Sequence, residues 1–131
     1  MTLMQWIDEK YGTNVDVCDN QHKELFDRIN ALNDSLTDGN RAHIGNRLDS
    51  LVDYVIAHFE TEERMMEERG YNGLDAHRQE HDRLLLTCTD LQDRFHSGEM
   101  DIGESTMAFI KNWFDHHIPV IDKSYGPDLS N

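Results

Sequence analysis

Apolar residues in this chain recur every three or four positions in four separate runs, and each run carries histidine in step with them. A 3.6-residue period with one apolar stripe is what an amphipathic helix buries, and a strand cannot use it. The first run is Leu25, Ile29, Leu32 and Leu36, with His22 one step earlier. The second is Ile44, Leu48, Leu51 and Val55, continued by His58, Glu62 and Met65. The third is Leu74, His77, His81, Leu84, Cys88, Leu91 and Phe95. The fourth is Ile110, Trp113 and His117, flanked by Phe109 and Phe114. Gly39, Gly70, Gly73 and Gly98 punctuate the runs, and no period-two alternation argues for a strand.

The spacing predicts an all-α fold, an antiparallel up-down-up-down four-helix bundle forming a single domain over 1–131. Helices are expected at about 19–37, 41–69, 74–97 and 103–117, with a short C-terminal turn at about 119–125. Asp38-Gly39 and Ser97-Gly98 read as helix stops, with glycine left-handed just past the end. The connections are short, so neighbouring helices run antiparallel. Residues 1–18 read as an irregular arm that Trp6, Ile7 and Tyr11 fold against the bundle. A chain of 131 residues buries a core without disulfides. Cys88 on a seam and Cys18, just before the first expected helix, therefore read as reduced thiols.

The formal net charge of −14 repels nucleic acid and anionic membrane, so neither is expected as a partner, and it favours solubility; a monomer is the expected state. No apolar run reaches the length of a membrane span. The opening MTLMQWIDEK lacks the basic and apolar segments of a secretory signal, and the cytoplasm is the expected location.

Topology decides where the histidines meet. In such a bundle His22 lies near the start of the first helix, His58 and Glu62 toward the end of the second, His77 and His81 near the start of the third, and His117 at the end of the fourth, with Asp122 just beyond. All seven converge on one end, within about two helical turns (~10 Å) in depth. Residues four apart share a helix face, so His58 with Glu62 and His77 with His81 can each reach a common point. His117 and Asp122 are five apart, which one straight helix does not align; Pro119 between them is expected to bend the chain and swing Asp122 inward. Burying five imidazoles and two carboxylates together without a metal is severely costly, and the seams hold no Lys or Arg to neutralise them. His43, His96 and His116 lie off the seams and are expected in solvent, His116 close enough to His117 to line the site from outside.

Imidazoles with carboxylates and no thiolate suit iron, manganese or zinc. Two six-coordinate metals need about twelve bonds; five histidines, two bridging carboxylates and a bridging oxide or hydroxide supply all but about one. A single vacancy admits a small end-on ligand such as O2 and leaves little room for a bulky substrate.

The motifs Asp19-Asn20-Gln21-His22-Lys23, His58-Phe59-Glu60-Thr61-Glu62, His77 to His81 and His117 to Asp122, in this order, resemble the hemerythrin family in its single-domain form, the bacteriohemerythrins. The resemblance implies two iron ions (Fe2+/Fe3+) with a bridging oxide or hydroxide, Glu62 and Asp122 as bridges, His77, His81 and His117 on the saturated iron, and His22 and His58 on the iron that binds O2. It also implies an O2 pocket of Leu25, Phe59, Trp113 and Ile118, and gives Tyr125 a family position without a defined role. Cys18 and Leu84-Leu85 depart from residues common in relatives and touch no ligand. The expected function is reversible O2 binding for storage or delivery, with an oxygen-consuming client enzyme as a possible partner and no catalytic residues. The competing readings are an O2, NO or redox sensor acting through a separate partner, and a peroxidase- or oxidase-like di-iron enzyme.

Overall fold

The computed structural model describes residues 2–130. Helices α1 (Asp8–Tyr11), α2 (Asp16–Ser35), α3 (Arg41–Glu68), α4 (Leu74–His96) and α5 (Glu104–His116) are followed by a π-helical turn (His117–Ile121), a 3-10 turn (Asp122–Tyr125) and α6 (Gly126–Leu129). The four long helices α2 to α5 form the expected antiparallel bundle. Helix α2 packs on α3, α3 on α4, and α5 returns to α2. No helix among the described residues is long and apolar enough to cross a membrane.

A left-handed glycine stands in each of the three reversals between the long helices, Gly39 at φ +65° among them, and two of the three close their helix directly. Gly70 and Gly98 take φ of +65° and +85°, the left-handed region that residues with a Cβ avoid. Beyond α3, the Tyr71 N–H donates to Met66 O at 2.9 Å and the Gly70 N–H to Glu67 O at 3.1 Å. Beyond α4, Glu99 donates to Arg94 O at 2.9 Å and Gly98 to Phe95 O at 3.1 Å. Both are the paired closing bonds of a Schellman stop, which occupy carbonyls the helix leaves free. Helix α2 stops earlier than the apolar period suggests, at Ser35. There Leu36 and Thr37 donate three residues back to Asn33 O and Asp34 O, and the Ser35 and Thr37 hydroxyls take Leu32 O and Asp34 O. Local side-chain bonds of this kind compete with the next helical turn.

Helix α2 also begins earlier than expected, at Asp16, so Cys18 sits inside its first turn and not before it. The cause is a latch that the apolar period does not encode. The Asp19 carboxylate accepts from the Thr13 N–H at 2.9 Å and the Thr13 hydroxyl at 2.7 Å. That fixes the approach to the helix, and Asp16 and Asp19 favour its positive end.

The N-terminal arm is irregular except for the single turn α1. Trp6, Tyr11 and Phe26 form an aromatic cluster with ring centroids 4.9–5.6 Å apart. Asn30 holds Met4 through two backbone bonds of 2.8 Å, and Asp115 on α5 receives Lys10 at 2.8 Å and the Tyr11 hydroxyl. Ile7, expected to help dock the arm, is about half exposed, because Trp6 and Tyr11 already fill the contact.

Two apolar clusters form. The larger contains Leu25, Ile29, Leu48, Val55, Phe59, Leu84, Cys88, Ile110 and Ile118; the smaller contains Val15, Cys18, Met66, Tyr125 and Leu129. Along α2, His22 falls between Cys18 and Leu25, and along α3, Glu62 falls between Phe59 and Met66. A polar layer is therefore sandwiched between two apolar ones. Met66 is fully buried where the sequence pattern pointed to Met65, since Met66 stands one full turn beyond Glu62 and faces the smaller cluster. On α5, Met107, Ile110 and Phe114 are buried while Phe109 is nearly half exposed. His43, His96 and His116 are exposed.

Gly126 marks the tightest approach in this packing: a Cβ there would stand 2.5 Å from the Thr13 carbonyl oxygen. Gly126→Ala is expected to destabilise the protein by about 1–3 kcal/mol, as overpacking does. Gly103→Ala, with open space around its Cβ, is the matched control. Urea unfolding midpoints check this; equal midpoints for the two variants would contradict the close docking of α6 on the Thr13 loop.

Candidate metal centre

The seven residues singled out by spacing come together in the buried layer. His22, Glu62 and His81 have no measurable exposure, and His58, His77, His117 and Asp122 have 3% or less. Asp122 gets there by the π-helical turn. Its N–H donates to His117 O, five residues back, so this wider turn places positions five apart on one side. Pro119, which has no N–H to give, lies within the turn where an ordinary helix would require one.

Ligand-capable atoms that all lie within 4.8 Å of one another fall into two groups: Glu62, His77, His81, His117 and Asp122 in one, and His22, His58, Glu62 and Asp122 in the other. The two carboxylates belong to both. Glu62 turns Oε2 toward Nε2 of His22 (3.1 Å) and of His58 (3.2 Å), and Oε1 toward Nε2 of His81 (3.3 Å) and of His77 (3.9 Å). Asp122 turns Oδ1 toward Nε2 of His77 (2.8 Å) and of His117 (2.9 Å), and Oδ2 toward Nε2 of His22 (3.0 Å). Each carboxylate thus gives one oxygen to each histidine group.

The contacts distinguish a metal site from a set of ion pairs. His117 Nε2 and His81 Nε2 lie close to carboxylate oxygens, yet neither has a hydrogen-bond partner, and Glu62 Oε1 has none either. Atoms that approach this closely without pointing at one another point at a third position between them. Ligand atoms about 2.1 Å from one metal and at right angles around it stand about 3.0 Å apart, close to the spacings found here. Orphaned polar atoms in a dry interior are costly, and a metal ion in each group satisfies them. The donor set fits two ions of the iron type.

The field around these groups is strongly polarised in the metal-free chain. Burial opposes protonation of His22, but its bonds to Asp122 and Glu62 outweigh that and raise its pKa to about 10. Burial leads in lowering the His58 pKa. For Glu62, burial is again the largest influence and favours the neutral form, yet His58 and His22 hold the carboxyl well below its usual range. Asp122 is likewise held low by His117 and His22, against burial and the repulsion of Glu62.

Residues to which spacing gave no role support the site from outside. Tyr125, fully buried, donates to Glu62 Oε2 at 2.5 Å and stacks on His77 with centroids 5.7 Å apart. Burial first, then the charges of Glu62 and Asp122, push the Tyr125 hydroxyl well above its ordinary pKa, so it keeps its proton for that bond. Gln21 Oε1 lies 2.6 Å from Nδ1 of His58, and Glu63 Oε2 lies 2.8 Å from Nδ1 of His81. Cys18 packs beside Tyr125; burial, with Glu62 adding, pushes its thiol up to about 12, the behaviour of an inert core thiol. Gln21 stands inside the first motif, directly before His22, and Glu63 directly follows Glu62; that adjacency is the one signal the sequence offers for the two outer partners.

Leu25, Phe59 and Ile118 are buried in the larger apolar cluster, with Trp113 packed half-buried at its edge. Phe59 stacks on His81 at 3.6 Å with rings 2° from parallel, and Trp113 stacks on His117 at 4.2 Å and 16°. His116 stands exposed in a surface depression with Phe109, Trp113 and His117.

The chain is similar to known proteins over nearly its whole length. The family profile described as "Hemerythrin HHE cation binding domain" matches residues 13–129. The chain is 48% identical over 130 residues to a bacteriohemerythrin of Methylococcus capsulatus (strain ATCC 33009 / NCIMB 11132 / Bath), covering 99% of each chain. It is 34% identical over 129 residues to a bacteriohemerythrin of Stenotrophomonas maltophilia (strain R551-3), covering 98% of this chain and 83% of that one. A crystal structure of wild-type hemerythrin, 47% identical, superposes with a TM-score of 0.97 over 98% of this chain and 99% of the other. The chain belongs to the hemerythrin family, whose domain implies a di-iron centre.

Proposed function

We propose that this chain holds two irons at the layer around Glu62 and Asp122 and binds O2 reversibly, as an oxygen store or carrier in the cytoplasm, not as a sensor or an oxidase. On this reading Glu62 and Asp122 would each hold both irons, with an oxide or hydroxide bound beside them. His77, His81 and His117 complete one position, and His22 and His58 hold the other. The observation that carries the reading is the divided reach of each carboxylate, one oxygen to each histidine group. Bound there, two irons supply the electron pair that O2 capture takes up and release returns.

The protein's own residues set the conditions. The two-histidine group offers four protein ligands against five in the other, which leaves it room for a small guest. Tyr125 fixes the rotamer of Glu62, and Gln21 fixes the ring of His58. Leu25, Phe59, Trp113 and Ile118 wall the layer with apolar surface; keeping water out slows irreversible oxidation. They bring no acid or base toward the site, which favours holding a guest over converting it. The charge of −14 opposes self-association, in keeping with a monomer. An oxygen-consuming enzyme is the class of client such a carrier serves.

Absorption spectra of the iron-loaded, anaerobically reduced protein test this. A nearly colourless form should gain visible charge-transfer bands on addition of O2 and lose them when the gas is removed. Prompt, irreversible conversion to a diferric spectrum would overturn the carrier reading. Glu62→Ala should weaken binding of both metals by more than the roughly 10–100-fold typical of losing an outer partner; retention of two tightly held irons would refute the bridging role. Trp113→Ala and Phe59→Leu should keep the iron content and speed loss of the O2-binding form at least severalfold, and unchanged rates in both would sink the dry-wall argument. Metal loading at pH 7 should release protons, because His22, raised to about 10 in the metal-free chain, must give up its proton to bind. Affinity should therefore fall as pH falls. Calorimetric titration in two buffers of different ionisation heat reads this, and no net release would contradict it.

A further inference from the structure

The outer partners of the two histidine groups differ in charge. In the two-histidine group, Nδ1 of His58 meets the neutral amide oxygen of Gln21 at 2.6 Å. In the three-histidine group, Nδ1 of His81 meets the carboxylate oxygen Oε2 of Glu63 at 2.8 Å. The other oxygen of Glu63 accepts from Arg78 Nε at 3.0 Å, which holds the carboxylate in place. Glu80 Oε1 stands 3.9 Å from Nδ1 of His117, beyond hydrogen-bond reach but adding negative charge to the same group. A neutral amide backs one position, and carboxylates back the other.

The local geometry explains the placement. Glu62 and Glu63 are consecutive on α3, so their side chains leave the helix about 100° apart. One enters the layer, and the other crosses to α4, where it meets His81 and Arg78. An imidazole that gives Nε2 to a metal carries its proton on Nδ1. An anionic acceptor there draws that proton and raises the donor strength of Nε2, whereas an amide does so less.

We propose that Glu63 is a positioning residue that acts through His81 to make the three-histidine position the tighter of the two and the first to fill, while Gln21 leaves the two-histidine position weaker. This rests on the two-metal reading above. Its functional consequence is an unequal pair: one position anchored by the protein, and one more labile position, with fewer protein ligands, that faces the guest.

The test is anaerobic titration of the metal-free protein with Co2+ in competition with a chelator, followed by the visible absorption of the bound ion. Wild type should bind two Co2+ in resolved steps. Glu63→Gln, which keeps an acceptor oxygen but removes its charge, should weaken the tighter step about 10–100-fold and leave the weaker step within about threefold. Gln21→Glu should strengthen the weaker step and narrow the gap from the other side. The urea midpoint of the metal-free chain should stay close to wild type in both variants, which separates an effect on His81 from general loosening. Equal weakening of both steps, or no change in either, overturns the proposal. A wild-type chain that binds fewer than two Co2+ overturns the two-metal reading itself and the proposal with it, a result distinct from the first.

Discussion

Two carboxylates buried against five imidazoles are the constraint on which the rest of this structure depends. Glu62 and Asp122 lie in a layer with no buried Lys or Arg; His22 and His77 reach them within hydrogen-bond distance, but His81 Nε2, His117 Nε2 and Glu62 Oε1 stay without a partner. This buried layer is left partly unsatisfied by mutual hydrogen bonding, at a cost in stability. It makes sense as a coordination shell, with atoms aimed at points between them. The apolar clusters above and below, the aromatic stacking on His81 and His117, and the Tyr125 bond to Glu62 hold that shell in a dry and fixed form.

The bundle and the shell explain each other. Antiparallel helices bring the start of α2 and α4 and the end of α3 and α5 to one level, so the candidate ligands come from elements distant in sequence. Only the last of them needs a departure from regular helix. The π-helical turn at His117–Ile121 provides it, and the i to i+5 bond that closes the turn also sets Asp122 opposite His77 and His117. A rigid scaffold with one local irregularity at the site is a common way to place a functional side chain.

Much of this was legible in the sequence, because a helical seam repeats on a period that apolar residues reveal. The four runs, their antiparallel order and the convergence of seven side chains at one end follow from spacing, and Pro119 marks where the last helix leaves its regular path, though as a π-helical turn. What stayed hidden depends on contacts between distant segments. The Thr13–Asp19 latch moved the start of α2 and took Cys18 into it. Met66 displaced Met65 because a second small cluster, built partly from the C-terminal segment, lies beyond the polar layer. Ile7 stays about half exposed, while Trp6 and Tyr11 make the ring contacts with Phe26. Tyr125, Gln21 and Glu63 lie off the seams or outside the main helices, so periodicity says nothing of their bonds to Glu62, His58 and His81.

Anomalous diffraction from crystals of the iron-loaded protein tests the central claim most directly. The account predicts two iron peaks per chain, one inside the Glu62, His77, His81, His117 and Asp122 group and one inside the His22, His58, Glu62 and Asp122 group, with both carboxylates spanning the pair. A single peak, or two peaks with either carboxylate bound to one iron alone, would contradict it.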